Sequence, residues 1–198
     1  LKPLAPLYTA AERAALPGVG LYIIDMQAYM LPVVAPERVF PAMLALVEAA
    51  EKAGSPVAWA YMNELGNGMG SKAFELAAPL VAKPGHLQVL KYGSNAFNGS
   101  GIVGMFDRAG VGTVVIGGMS SEGCVDSTIA GALKLGYKVV VAEEAHTTGE
   151  GGSLENLERM NRVWRRLQGV EVLPAAAVRF RAGAAPAAPA GPATGATR

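Results

Sequence analysis

Short apolar runs rich in β-branched residues recur along this chain, and between them apolar residues return every three or four positions. Six runs stand out: Gly20-Leu-Tyr-Ile-Ile-Asp25, Pro56-Val-Ala-Trp-Ala-Tyr61, His86-Leu-Gln-Val-Leu-Lys91, Thr113 to Gly117, Lys138-Val-Val-Val-Ala142 and Val170-Glu-Val-Leu173. Runs this short and this apolar predict strands buried on both faces. The longer periodicity predicts helices over about 37–53, 101–109, 123–135 and 154–167. Gly54, Gly110 and Gly136 each follow one of these segments, where a left-handed cap residue is wanted. Val125, Ile129 and Leu133 stand four apart and are expected to face the sheet. Alternation of strand and helix implies a parallel sheet with helices on both faces.

The pattern fades at both ends. The first 17 residues read as an arm packed on the outside, and residues 18–181 read as one domain. From Ala182 to Arg198, 14 of the 17 residues are Ala, Gly or Pro, which predicts a disordered tail. Met62 to Gly85 forms a long connection, and its stretch from Asn63 to Gly70 is expected to border a site. The chain opens on Leu1, so a trimmed start is expected, and no basic segment followed by an apolar one directs secretion. No apolar stretch reaches the roughly 18 residues of a spanning helix, so no membrane partner is expected. A net charge of +1 without a basic run argues against nucleic acid. A single cysteine makes no internal disulfide and suits a reducing, cytoplasmic setting.

That cysteine is the residue to explain. Cys124 follows the apolar run Thr113-Val-Val-Ile-Gly-Gly118, sits in the turn Met119-Ser-Ser-Glu-Gly-Cys124, and precedes a helical segment. A helix start lowers a thiol pKa, so this placement predicts a reactive thiolate; an inert buried cysteine is the plainer alternative. In open α/β sheets ligands bind beyond the carboxyl ends of the strands, where the order reverses. Asp25 closes strand one, Lys91 closes strand three and Cys124 follows strand four. In the order 3-2-1-4-5-6, strands one and four meet at the reversal, and Lys91 reaches in from the strand-three side. Asp25 is then a base toward the thiol, and Lys91 a positive charge that stabilises thiolate and carboxylate. Taken singly, Asp25 reads equally as a turn cap and Lys91 as a solvated strand-end lysine.

Three blocks carry a family likeness: Leu21-Tyr-Ile-Ile-Asp-Met-Gln27, Lys91-Tyr-Gly-Ser-Asn-Ala-Phe97 and Gly117-Gly-Met-Ser-Ser-Glu-Gly-Cys-Val-Asp-Ser-Thr128, the last continuing into Gly136 to His146. In this order and spacing, over roughly residues 19–175, the chain resembles the cysteine hydrolases of the isochorismatase-like superfamily. The resemblance implies a three-layer α/β/α fold with a six-stranded parallel sheet. It implies an Asp25-Lys91-Cys124 triad and a cis peptide between Met119 and Ser120. It also implies an oxyanion hole from the backbone N–H groups of Ser120 and Cys124. The implied activity is hydrolysis of a small amide or carbamoyl compound through a cysteine thioester, by a homo-oligomer, a dimer or tetramer. A non-catalytic relative that keeps the fold for binding or scaffolding is the alternative.

The remaining candidates are weaker. Gln27 is a substrate contact or a structural residue; Tyr61 and Phe97 line a pocket or belong to the core; His146 contacts substrate from the rim or is a surface histidine. Gly66-Asn-Gly-Met-Gly-Ser-Lys72 lacks a phosphate-loop ending, and Gly110-Val-Gly-Thr113 precedes a strand where a dinucleotide fingerprint would follow one. Nicotinamidases of the resembled superfamily carry an Asp and paired histidines as a metal site between strands two and three. Here residues 62–85 contain neither His nor Asp, so no metal and no cofactor are expected. Isochorismatases proper lack the nucleophilic cysteine, so Cys124 points to acyl transfer.

Overall fold

The computed structural model describes residues 4–63 and 70–184. Most of the Asn63–Gly70 stretch and residues 185–198 of the Ala/Gly/Pro-rich segment lie outside the described residues. Six strands form one sheet in the order β3-β2-β1-β4-β5-β6. They are β1 (Gly18–Ile24), β2 (Val57–Met62), β3 (Leu87–Lys91), β4 (Val111–Met119), β5 (Lys138–Thr147) and β6 (Val170–Leu173). Every pairing is parallel, with Leu21 beside Val57 on one flank of β1 and beside Val115 on the other. The fold and its strand order are those the sequence pattern anticipates.

Among the described residues five α-helices accompany the sheet: α1 (Ala10–Ala14), α2 (Pro36–Lys52), α3 (Ile102–Arg108), α4 (Asp126–Lys134) and α5 (Leu154–Trp164). Alternation along β1 sets the two cores. Leu21 and Ile23 point to the layer made by Val39, Met43, Leu46 and Ala50 of α2, while Tyr22 and Ile24 meet Ile102 and Phe106 of α3 and Ile129 of α4. The apolar stripe of α2 packs on the sheet within one chain. Val125 and Ile129 are buried and Leu133 packs beside them, as the spacing of four requires. Gly54, Gly110 and Gly136 take left-handed φ values of 66°, 65° and 87° after α2, α3 and α4.

Two strands run past their sequence-derived ends. β4 runs past Gly117 through Gly118 to Met119, and glycine carries no strand propensity. Gly118 has φ 115°, and a Cβ there would strike the backbone of Ile24 in β1, so close strand approach demands glycine. β5 continues through Glu143 and Glu144 to Thr147, with its register against β4 slipping between Ile116↔Val141 and Gly118↔His146. The two carboxylates interrupt the apolar run and hid this extension from the sequence.

The first and last described segments are tied to the domain. Thr9 and Glu12 form a reciprocal capping box on α1. Arg13 of α1 reaches Asp107 of α3 at 2.7 Å, with both side chains buried. At the far end the Val19 N–H donates to the Arg181 carbonyl at 2.9 Å, and Gly183 lies against the backbone of Ala109 and Gly110. Residues 182–184 therefore run beside the strand starts, further along than the expected domain boundary at 181.

Candidate active site

The carboxyl ends of β1, β3 and β4 converge on one buried polar centre. Asp25 follows β1 directly, with its backbone in the left-handed region at φ 54°. Asp tolerates that conformation better than most residues, and its N–H is held by the Ala60 carbonyl at 3.0 Å. Lys91 ends β3, two strands away from β1. Its stem crosses the end of β2, where Nζ passes Met62 Sδ at 3.8 Å. Nζ then lies 2.8 Å from Asp25 Oδ2 and donates to the Gly93 carbonyl at 2.8 Å and to Cys124 Sγ at 3.2 Å. Lys91 and Asp25 are 0% and 1% exposed, so this ammonium–carboxylate pair is withdrawn from water, while the Cys124 thiol is half-buried at its edge.

The turn that carries Cys124 is more specialised than a plain helix start. The Met119–Ser120 peptide is cis, and residues Ser121–Val125 form one π-helical turn before α4 begins at Asp126. The Val125 N–H bonds back to the Ser120 carbonyl at 3.0 Å, which closes the wide turn. A Cβ at Gly123 would lie 2.6 Å from Ser120 Oγ, so a larger residue there would turn that hydroxyl away. Ser120, Ser121 and Cys124 thus sit on one short arc between β4 and α4.

The electrostatics differ from the sequence expectation in sign. Burial pushes the Cys124 thiol pKa up, the Asp25 charge adds to that, and the Lys91 ammonium offsets only part of it. A helix start and a lysine alone would lower it; the carboxylate beside them and the loss of water prevail. The resting centre is a neutral thiol next to an ammonium–carboxylate pair.

The remaining sequence candidates are placed elsewhere. Gln27 is 0% exposed and staples two elements. Its Oε1 accepts from Met62 N–H at 2.8 Å, and its Nε2 donates to the Met62 and Phe74 carbonyls at 3.3 Å. Tyr61 lies on the opposite sheet face from Lys91; it stacks on Phe74 and donates its hydroxyl to Gln88 at 3.0 Å. A groove of about 520 Å³ opens there between residues 74–82 and β3. Phe97 is core, packed edge-on to Tyr22 and stacked on Tyr137. His146, read from sequence as a rim contact, is 1% exposed. Its ring nitrogens face Ser121 Oγ at 2.8 Å and Asn161 Oδ1 at 3.0 Å. The β5 extension places it inside, where a strand ending at Ala142 would have left it outside. Sequence reasoning passed over Ser121, Met62 and Asn161. The doubled serine after Met119 was a usable signal for the first; nothing local marks Asn161.

The two histidines are engaged separately. His86 Nδ1 accepts from Trp59 Nε1 at 3.0 Å and from the Lys83 N–H at 3.2 Å, and its Nε2 meets Glu51 at 3.0 Å. Among the described residues no group of three or more His, Cys, Asp or Glu is placed to hold a metal ion. The donor set does not fit a transition-metal site.

A sheet of this order brings an acid, a lysine and a cysteine together at its switch point, where open α/β proteins bind their ligands. The Isochorismatase domain family matches this chain over residues 19–176, and the chain belongs to that family. A streptothricin hydrolase from Streptomyces noursei is 36% identical over 75 residues, covering 38% of this chain. That match spans only about a quarter (27%) of the relative's own length. Among solved structures, N-carbamoylsarcosine amidase from Thermoplasma acidophilum superposes with TM-score 0.70 at 19% identity, over 82% of this chain and 99% of that one. A cysteine hydrolase from Pseudomonas syringae pv. phaseolicola superposes with TM-score 0.70 at 17% identity, over 80% of this chain and 89% of that one. At these identities the structural likeness speaks for the fold. Among the described residues no helix is long and apolar enough to cross a membrane.

Proposed function

We propose that this protein hydrolyses the C–N bond of a small amide or carbamoyl compound through a thioester on Cys124, with Asp25 and Lys91 completing the triad. The observation that carries the reading is the position of Lys91 Nζ, 2.8 Å from Asp25 Oδ2 and 3.2 Å from Cys124 Sγ. An ammonium buried between a carboxylate and a thiol has little structural purpose that an apolar side chain would not serve more cheaply.

The resting thiol is protonated, so the nucleophile is made during the reaction. As Sγ attacks the carbonyl carbon, its proton passes to Asp25, and the ammonium of Lys91 stabilises the sulfur as it becomes negative. The carbonyl oxygen becomes an oxyanion that the Ser120 and Cys124 N–H groups receive; one such donor is worth about 3 kcal/mol in comparable sites. Collapse breaks the C–N bond, and Asp25 returns the proton to the departing nitrogen. Water then attacks the thioester, Asp25 takes a proton from it, and the acid product leaves as Sγ is reprotonated. No step runs through a metal.

Release of ammonia or amine, measured across primary amides, ureido acids and cyclic amides, is the test. Streptothricin belongs in the panel because a relative hydrolyses it. Cys124→Ser and Cys124→Ala are expected to lose turnover by roughly a thousandfold or more with the fold intact. More than a few percent residual activity in both would exclude a covalent mechanism.

A further inference from the structure

The turn that bears Cys124 is gripped from behind by a buried hydrogen-bond network. Ser121, one residue past Ser120, is 0% exposed, and its hydroxyl lies 2.8 Å from His146 Nδ1 and 2.8 Å from the Thr147 carbonyl. His146 Nε2 lies 3.0 Å from Asn161 Oδ1. Asn161 Nδ2 donates to the Glu143 carbonyl at 3.2 Å. With the amide nitrogen of Asn161 so committed, its oxygen accepts from His146 Nε2–H, Nδ1 of a neutral imidazole is left as an acceptor, and the single Ser121 hydroxyl proton is divided between Nδ1 and the Thr147 carbonyl. Burial, the largest influence, holds the imidazole neutral, lowering its pKa to about 4. Trp164 of α5 closes the ring edge-on against His146 at 4.8 Å and donates Nε1–H to Asp126 Oδ1 at 2.8 Å. Asp126 is the first residue of α4. α5 therefore holds both ends of the π-turn, Ser121 through His146 and Asp126 through Trp164.

We propose that His146 is a positioning residue: through Ser121 it fixes the backbone of residues 120–124 so that the N–H groups of Ser120 and Cys124 stay aimed at the developing oxyanion. The inference rests on the covalent reading of Cys124. Its geometric basis is that one side-chain hydroxyl, on the residue next to Ser120, is tied to a ring that is itself tied to α5. An oxyanion donor displaced by a few tenths of an ångström loses much of its effect, whereas the thiol itself needs no such alignment to react with an alkyl halide.

That difference supplies the experiment. Cys124 is acetylated with p-nitrophenyl acetate and, separately, alkylated with iodoacetamide, with the adduct located by mass spectrometry. In acetylation the Sγ–C bond forms, the thiol proton goes to Asp25, an oxyanion appears and p-nitrophenolate leaves. In alkylation the Sγ–C bond forms, the thiol proton is lost and iodide leaves, with no oxyanion. In Ser121→Ala the ratio of acetylation to alkylation rates is expected to fall about tenfold, and further in His146→Ala, with alkylation within about twofold of the parent. Ser121→Ala removes one hydroxyl and decides the matter if His146→Ala does not fold. An unchanged ratio in folded Ser121→Ala overturns the proposal, as does an equal fall in both rates, which would make the tie one that holds the thiol. A parent protein that is alkylated but never acetylated at Cys124 overturns the covalent reading itself, and this inference with it.

Discussion

Among the described residues two cation–carboxylate pairs are withdrawn from water, Arg13 with Asp107 and Lys91 with Asp25. The first is planar and saturated. Arg13 meets both oxygens of Asp107, at 2.7 and 2.9 Å, and spends its remaining reach on the carbonyls of Leu135 and Tyr8. Asp107 also accepts from the Leu7 and Tyr8 N–H groups, and the guanidinium lies over the Tyr137 ring. The pair ties the N-terminal arm to α3 and to the segment that follows α4. The second pair is a point charge shared three ways, among a carboxylate, a carbonyl and a thiol. Arginine suits the first because its fork satisfies several acceptors at fixed angles; lysine suits the second because a compact ammonium can follow charge as it moves from carboxylate to sulfur. Buried charge in the same small protein thus serves anchorage in one place and, under the function proposed above, reactivity in the other.

The comparison breaks most visibly at Asp107. Asp107→Ala strands a buried guanidinium, which costs about 3–5 kcal/mol. Tm is expected to fall by roughly 10 °C or more, read by calorimetry, with kcat of the protein that remains folded little changed. A proportional loss of kcat would join the arm to the site and erase the distinction.

Lys91→Ala should do the reverse. Without the ammonium, Asp25 and the thiolate are two anions in one cleft, the thiol pKa rises further, and kcat is expected to fall by roughly a hundredfold. Iodoacetamide labelling at neutral pH should slow, and in the parent it should already be slower than that of a free thiol, because burial and Asp25 have raised the Cys124 pKa. Lys91→Arg keeps the charge but widens the group, so only partial rescue is expected. A variant that changes KM alone would make Lys91 a substrate-binding residue.

Acid sharpens the comparison by isolating a third buried group. His146 has its pKa lowered from 6.5 to about 4, first by burial. Its folded pKa lies below the unfolded one, so the unfolded chain binds the extra proton. The contribution is full above about pH 6.5 and is lost as pH falls toward about 4. It amounts to about 3 kcal/mol. Tm measured across that window should drop, and the drop should shrink in His146→Gln; an unchanged slope would mean the ring is not the group that titrates. The smallest effect is expected from chelators: EDTA should leave turnover and Tm unchanged, and loss of activity restored by zinc or manganese would reveal a ligand set among residues outside the described ones.

Much of this was legible before any coordinates. Apolar runs of strand length, interrupted by helical periodicity and punctuated by Gly54, Gly110 and Gly136, determined a parallel α/β sheet, because strands buried on both faces admit few polar residues. The same pattern put Asp25, Lys91 and Cys124 at strand ends. The tertiary structure alone decided what those residues are to one another. That Lys91 crosses the end of β2 to reach both partners depends on strand order and stem length, which no local window contains. The sign of the thiol shift depends on how much water the fold removes and on a carboxylate 99 positions away in sequence. His146 shows the limit most plainly. Its neighbours in sequence read as a polar loop, yet a register slip between β4 and β5 carries it inside, because backbone pairing with Gly118 and the packing of Trp164 outweigh the local preference of Glu143 and Glu144. Periodicity records which side chains avoid water; it does not record which distant groups will meet once they have done so.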